Sequence, residues 1–304
     1  MSLPDLAELI ALRGPARGLG LHAQRPALAP LQGSHRSVQR GRGLEFEEVR
    51  PYAPGDDARN IDWRVTARRG RPHTKLFREE RERPVWLLAD VHAGLYFGSR
   101  RQLKSALLLR AAALLAWIAV LGGDRLGALI ADGRKPPRIF PPRGREAGVL
   151  PVLEALVEAQ PQEPGVPAAD SLNSSLRGLR PLLQPGSLVL VLSDFSTLDE
   201  RTGSVLTALS AHSDCRLLAL TDPLERHGLP AGSYRVGLPG QLWWLDGARD
   251  RRAWQEKWAA RQRRLETLAR RLSLPVIQLD TADAVVESLP PLLRGRVRST
   301  AWAA

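Results

Sequence analysis

A single cysteine, Cys215, stands in 304 residues, so no intramolecular disulfide can form. That fits a reducing compartment, where thiols stay free. The opening residues MSLPDLAELIALRG carry Asp5 and Glu8 and lack the basic start and long apolar run of a signal peptide. Long uncharged runs are missing too. The best candidate for a membrane span, Leu103 to Leu121, holds Lys104 and Arg110 and leaves only Ala111 to Leu121 uncharged, less than a bilayer needs. It reads as a buried helix, and the chain as a soluble, cytoplasmic protein. No repeat of fixed period is present, which argues against a solenoid or propeller. Acidic residues are in deficit: 32 Asp and Glu against 44 Lys and Arg leave a net charge of +12. Such a surface attracts nucleic acid, an anionic membrane surface or an acidic protein. The basic residues are mostly arginine and scattered, without the interleaved aromatics of a base-stacking platform. Arginine-rich coding in a high-GC genome accounts for them slightly better than a polyanionic ligand does.

What is present points to a layered α/β fold. Hydrophobic residues make up 43% of the chain, enough for a core. Residues 3–13 read as a short amphipathic helix, 14–43 as an irregular linker rich in Gly, Pro, Arg and Gln, and 44–80 as charged but ordered. From Val85 the pattern changes. Apolar strand signals at Val85–Ala89, Arg125–Ala131, Ser187–Leu192, Cys215–Leu220 and Pro275–Leu279 are separated by helical stretches. These are 101–121, 146–159, 172–183, 198–211 and 249–272, with a last helix over 284–293. Strands alternating with helices imply a mainly parallel sheet with helices on both faces. The organisation expected is an N-terminal arm over 1–80 and a layered domain over 84–295.

The most specific segment is GRGLEFEEVRPYAPGDDARNIDWRVTARRGRPHTKLFREE, residues 41–80. Pro54 and Gly55 suit a turn, since proline fixes φ and glycine supplies unusual backbone angles. Glu45, Arg50, Asp56, Arg59, Asp62 and Arg68 surround it, mixed with Phe46, Tyr52 and Trp63. Such mixed charge suits bidentate Arg–carboxylate pairing. A network that pins the arm to the layered domain is the favoured reading, and a docking surface the other.

This segment closely resembles the hallmark of a bacterial and archaeal family, domain of unknown function 58. The matching residues are Gly41, Gly43, Glu45, Phe46, Arg50, Tyr52, Gly55, Asp56, Arg59, Ile61, Asp62, Trp63, Ala67 and Arg68. The likeness continues through VLSDF at 191–195, TDP at 221–223 and the helix at 249–272. It implies a von Willebrand factor A-like (Rossmann-like) domain. It also implies a partner, since proteins of this family are commonly linked with MoxR-type AAA+ ATPases as adaptors or clients in protein assembly or stress responses.

Domains of the von Willebrand factor A type often hold a divalent cation through Asp-x-Ser-x-Ser, a threonine loop and a further aspartate. Here Asp90 opens the first loop, but His92 and Gly94 stand where the serines belong. Glycine offers no ligand and imidazole suits Mg²⁺ poorly. Asp194 matches the last aspartate, and Asp170 falls near the missing threonine. The site reads as degenerate. No cofactor is expected, with Mg²⁺ the one ion worth testing. Asp90 and Asp194 are then expected to cap a following helix or meet an arginine.

Catalytic patterns are weak. His92 has no second histidine in register, Ser193 lacks a nucleophile elbow, and neither GRGLEF nor LGGDRLG has phosphate-loop spacing. Cys215 reads as inert core. Trp254 and Trp258, four apart on one helix face, read as packing residues. The reading is a non-catalytic interaction protein. Its partner is expected in a crevice at the carboxyl ends of the strands, with His92, Tyr96 and Phe97 at the mouth. Binding to nucleic acid or an anionic membrane surface is the alternative.

Overall fold

The computed structural model describes residues 2–21, 44–53, 56, 58–79, 82–238 and 241–294. The chain divides into two compact units, Met1–Leu28 with Arg83–Ala304, and Ala29–Glu82. The arm expected over 1–80 is therefore split, and its first helices belong to the larger unit. α1 (Leu6–Ala11) is capped by Asp5, whose carboxylate accepts from the Glu8 amide at 2.8 Å. α2 (Arg13–Ala16) follows. Leu9 is fully buried, and its carbonyl accepts from Trp117 Nε1 at 3.1 Å. Arg110 Nε meets Glu8 Oε1 at 2.5 Å. An amphipathic helix beside an apolar one buries its stripe at once, and this explains the grouping.

In the smaller unit, β1 (Leu44–Pro51) pairs antiparallel with β2 (His73–Glu79), with a bulge between Phe46 and Glu48. A 3-10 turn at Ala58–Asn60 and α3 (Trp63–Arg69) lie between them. Asp62 caps α3, accepting from the amides of Arg64 at 3.0 Å and Val65 at 3.1 Å. Gly70, at φ 68°, closes the helix, as a left-handed position favours. Arg68 and Arg69 fill the last turn, where cations meet the negative end of the helix dipole.

The larger unit is a mixed α/β layered structure on a mostly parallel six-stranded sheet. Its elements are β3 (Pro84–Asp90), α4 (Lys104–Leu121), β4 (Arg125–Ala131), β5 (Arg138–Arg143), α5 (Glu146–Ala159) and α6 (Ser171–Leu179). Then come β6 (Leu188–Ser193), α7 (Glu200–Ser210), β7 (Asp214–Thr221), α8 (Pro223–His227), β8 (Ser233–Leu238) and β9 (Gln241–Asp246). α9 (Arg251–Leu272), β10 (Val276–Asp280) and α10 (Val285–Arg294) complete it. Strand order is β10-β7-β6-β3-β4-β5, and only β5 runs antiparallel. β8 and β9 form a separate antiparallel hairpin.

β3 shows how the sequence builds both cores. Val85, Leu87 and Ala89 enter one layer with α1, α2, α4, α5 and α10, while Trp86 and Leu88 enter the other with α6, α7 and α9. A strand covered on both faces must be apolar throughout, and β6 is buried at every position. α4 is as apolar as a membrane span, with 18 residues at mean hydropathy 1.8, but 83% of it is buried inside this unit. The chain steps from β5 across to β6, so the switch in direction falls between β3 and β6. Their carboxyl ends frame a crevice there.

Candidate functional site

β3 delivers Asp90 to the crevice and β6 delivers Ser193 and Asp194. Ser193 Oγ donates to Asp90 Oδ2 at 2.7 Å and accepts from the Phe195 amide at 3.0 Å. Phe195 is buried at φ 51°, a left-handed conformation that costs an aromatic residue about 1–3 kcal/mol and that tight packing maintains. The Ser196 amide donates to Asp194 Oδ1 at 2.9 Å.

The cation of this crevice is a lysine. Lys104, at the start of α4, is 2% exposed, and its ammonium donates to Asp194 Oδ2 and to Glu225 Oε1 of α8, both at 2.9 Å. Arg261 of α9 also reaches Glu225 Oε1, at 3.1 Å. The Phe97 ring lies 5.7 Å from the ammonium, a cation–π contact. Sequence reasoning registered Lys104 only as a charge interrupting an apolar run. A lone lysine in the first turn of a buried helix, in a chain with aspartates at its strand ends, was the available signal.

Asp90 and Asp194 were expected to cap helices or meet arginines; instead Asp90 binds a serine and Asp194 a lysine. His92 was expected at the mouth of the crevice. It is 2% exposed, with Nε2 3.4 Å from Asp194 Oδ1, longer than a well-formed hydrogen bond. Both its ring nitrogens and Asp90 Oδ1 lack a hydrogen-bond partner among the described residues. Small residues explain the burial. A Cβ at Gly94 would lie 3.0 Å from the His92 ring and 3.2 Å from Pro167, and one at Gly165 would lie 2.5 Å from Ala93 Cβ. The 91–95 and 165–167 segments therefore close down together, fastened by the Gly165 amide on the Ala93 carbonyl at 3.2 Å. Tyr96 and Phe97 are half-buried and Leu95 is wholly buried.

The electrostatics follow from burial. Desolvation pushes the Asp90 carboxyl above its ordinary value, against the opposing effects of His92 and the Ser193 hydroxyl. Burial pushes Asp194 the same way, but the Lys104 ammonium and then His92 overcome it and hold Asp194 well below the usual range. Burial disfavours the Lys104 charge, yet Asp194 and Glu225 together raise its pKa.

Asp170 does not join this group; it is half exposed and pairs with Arg177. Among the described residues, no three His, Cys, Asp or Glu side chains stand close enough to share a metal ion. The other strand ends carry carboxylates with partners of their own. Asp222 accepts from the Leu224 amide, the Ser99 amide and hydroxyl, and Thr281 Oγ1, while Asp280 meets Arg226 at 2.9 Å. Cys215 is buried, which with the charge of Asp214 pushes its thiol up to about 12. Trp254 and Trp258 are half-buried; Trp254 Nε1 donates to the Glu225 carbonyl at 3.0 Å, and the Arg226 guanidinium stacks over Trp258.

The 41–80 motif is structurally legible where it is described. Arg50 Nη2 meets Asp56 Oδ1 at 2.7 Å, and Asp56 Oδ2 accepts from the Ala53 amide at 2.9 Å. That amide, then Arg50, lowers the Asp56 pKa. The Tyr52 amide donates to the Pro72 carbonyl at 2.9 Å. Arg59 sits in the 3-10 turn, and Trp63 is 70% exposed at the start of α3. Glu45 and Phe46 lie in β1, with side chains outside the described residues, as are Gly41, Gly43 and Gly55.

Comparison with known proteins places the chain among relatives. It is 34% identical over 184 residues to the uncharacterized protein Rv1480 of Mycobacterium tuberculosis and to the uncharacterized protein Mb1516 of Mycobacterium bovis. The match covers 60% of this chain and spans 57% of the length of each relative. Two solved structures are similar at low identity. One is the conserved hypothetical protein BatB from Bacteroides thetaiotaomicron (10% identity, TM-score 0.44, 69% of this chain and 96% of that one). The other is an aerotolerance-related membrane protein from Bacteroides fragilis (12% identity, TM-score 0.45, 69% and 98%). The family described as "Protein of unknown function DUF58" matches residues 48–267, and the chain belongs to that family.

Proposed function

We propose that the chain is a non-catalytic protein-interaction module with a von Willebrand factor A-like domain, an adaptor or client of a MoxR-type AAA+ ATPase. The observation that carries this reading is the Lys104 ammonium seated between Asp194 and Glu225. A cation-dependent surface of this architecture would keep an open metal position there. Here the cation is part of the chain, Asp194 and Glu225 share it, and Ser193 Oγ is buried against Asp90. A pre-neutralised, rigid strand-end face suits recognition, since groups already fixed lose little freedom on binding. The assay is co-purification of the chain with the host's MoxR-type ATPase, with and without ATP. Nucleotide-dependent association is the expected result, and its absence at both conditions sinks the reading. The net charge of +12 supports the competing reading of a nucleic-acid or anionic-membrane binder. That reading requires affinity that falls steeply with salt.

A further inference from the structure

We infer that the pocket between α8 and the foot of the β8–β9 hairpin, with the hairpin's tryptophans beside it, docks an acidic segment of a partner protein that also carries apolar residues. The inference deepens the interaction reading above and rests on it. The pocket measures about 430 Å³ and is lined by Ser99, Arg100, Leu224, His227, Pro230 and Arg251. Arg100 and His227 make no side-chain hydrogen bond or ion pair among the described residues. Arg251 uses only Nε, on the Leu229 carbonyl at 3.1 Å, so its two terminal amino groups remain to donate.

Neighbouring carboxylates do not neutralise this charge. Asp222, behind the wall, is saturated by donors from Ser99, Leu224 and Thr281. Glu225 is held by Lys104 and Arg261, and Asp250 by Arg249. A concave pocket with uncompensated guanidinium groups calls for a carboxylate, which an arginine can hold by two parallel bonds.

The hairpin supplies the apolar half. Its foot is fixed against the pocket: the Gly247 amide donates to the Gly232 carbonyl at 2.7 Å, and a Cβ at Gly247 would fall 1.8 Å from the Pro230 carbonyl oxygen. Trp244 and Trp243, opposite Arg235 and Val236, follow about 10–13 Å along the strand at the usual rise per residue. Leu242 is 57% exposed, Trp243 53% and Trp244 72%. Exposed tryptophans in a cluster mark interaction surfaces, and tryptophan is enriched among the residues that dominate binding energy.

Charge also excludes other occupants. Residues 22–43 and 295–304 of this chain contain arginines and no acidic residue, and a second copy brings another +12. A flat bilayer does not enter a concave pocket.

The test uses the full chain and short synthetic fluorescent peptides graded from strongly acidic to strongly basic, each with and without Leu and Phe. A single-stranded oligonucleotide and phosphatidylglycerol vesicles are the other probes. Two variants of exposed residues accompany the wild type, Arg100→Glu with Arg251→Glu, and Trp243→Ser with Trp244→Ser. Circular dichroism checks folding, and Arg100→Gln and Trp244→Ser alone replace any pair that unfolds. Acidic peptides with Leu and Phe are expected to bind best, losing about tenfold or more in either variant and on replacement of their acids by amides. Equal binding in the variants, no preference for acidic peptides, or tighter binding to the oligonucleotide or vesicles overturns the inference. The two readings fail separately. If the ATPase co-purifies equally with wild type and variants, the surface assignment falls and the function stands. If acidic peptides bind through these residues while no ATPase co-purifies, the function falls and the surface stands.

Discussion

Replacing Lys104 by methionine keeps the side chain's length and removes its charge. The ammonium and the Asp194 carboxylate are 3% and 4% exposed, so the variant leaves a carboxylate buried without its cation. Removing one partner of a buried pair costs about 3–5 kcal/mol. The lower end applies, because Asp194 keeps the Ser196 amide and Glu225 keeps Arg261. At about 2–4 °C per kcal/mol for a unit of this size, the melting temperature at neutral pH should fall by about 6–12 °C. The pH dependence has a definite sign. Asp194 is depressed in the folded wild type, so its contribution is present above the ordinary carboxylate range and is lost as pH falls through its lowered value. Without Lys104, burial pushes the same carboxyl up, it protonates earlier, and the deficit against wild type shrinks on acidification. Combining Lys104→Met with Asp194→Asn removes the buried charge and should recover about half of the loss or more. Thermal denaturation of the three proteins across pH is the assay. A single variant melting within about 2 °C of wild type, or a double variant no better than the single, refutes the argument.

Three further outcomes follow from the same geometry. Asp90→Asn removes a carboxylate whose charge burial disfavours, and Asn can still accept from Ser193; it should match or exceed wild-type stability at pH 8, and the gain should vanish toward pH 4, whereas a larger loss at pH 8 contradicts the raised pKa. Leu9→Ala should cost about 2–5 kcal/mol in chemical denaturation, because Leu9 is fully buried; a change under about 0.5 kcal/mol would mean that the first helix is not part of the core. Calorimetric titration of Mg²⁺ or Mn²⁺ into the wild type should give no micromolar binding, and micromolar affinity abolished by Asp90→Ala would show that a metal displaces the Lys104 arrangement.

The parallel sheet was legible because a strand buried on both faces has no choice but continuous apolar sequence. Val85–Ala89 and Ser187–Leu192 lie within a residue of the observed β3 and β6. β5 escaped because an antiparallel edge strand exposes every other residue, and Pro141 and Pro142 mask its pattern. The β8–β9 hairpin escaped although Pro239-Gly240 is a turn signal between two strand-like runs. Its exposed tryptophans resemble core residues in one dimension. Asp90 and Asp194 could be placed at the crevice because each follows an apolar strand. The burial of His92 could not, since it depends on Gly94 and Gly165 letting two distant segments touch. Nor could Lys104, whose partners lie 90 and 121 residues away in sequence.

α4 also has a consequence for the order in which the chain is made. α1 and α2 are synthesised before it and can cover part of its surface as it emerges. Another part waits for α10, which follows Leu121 by roughly 160 residues. At ordinary synthesis rates that interval is on the order of ten seconds, during which a leucine-rich helix face has no permanent cover. Nascent chains stalled before Val285 would accumulate with that face open, and should be the species most prone to co-translational aggregation or to capture by chaperones.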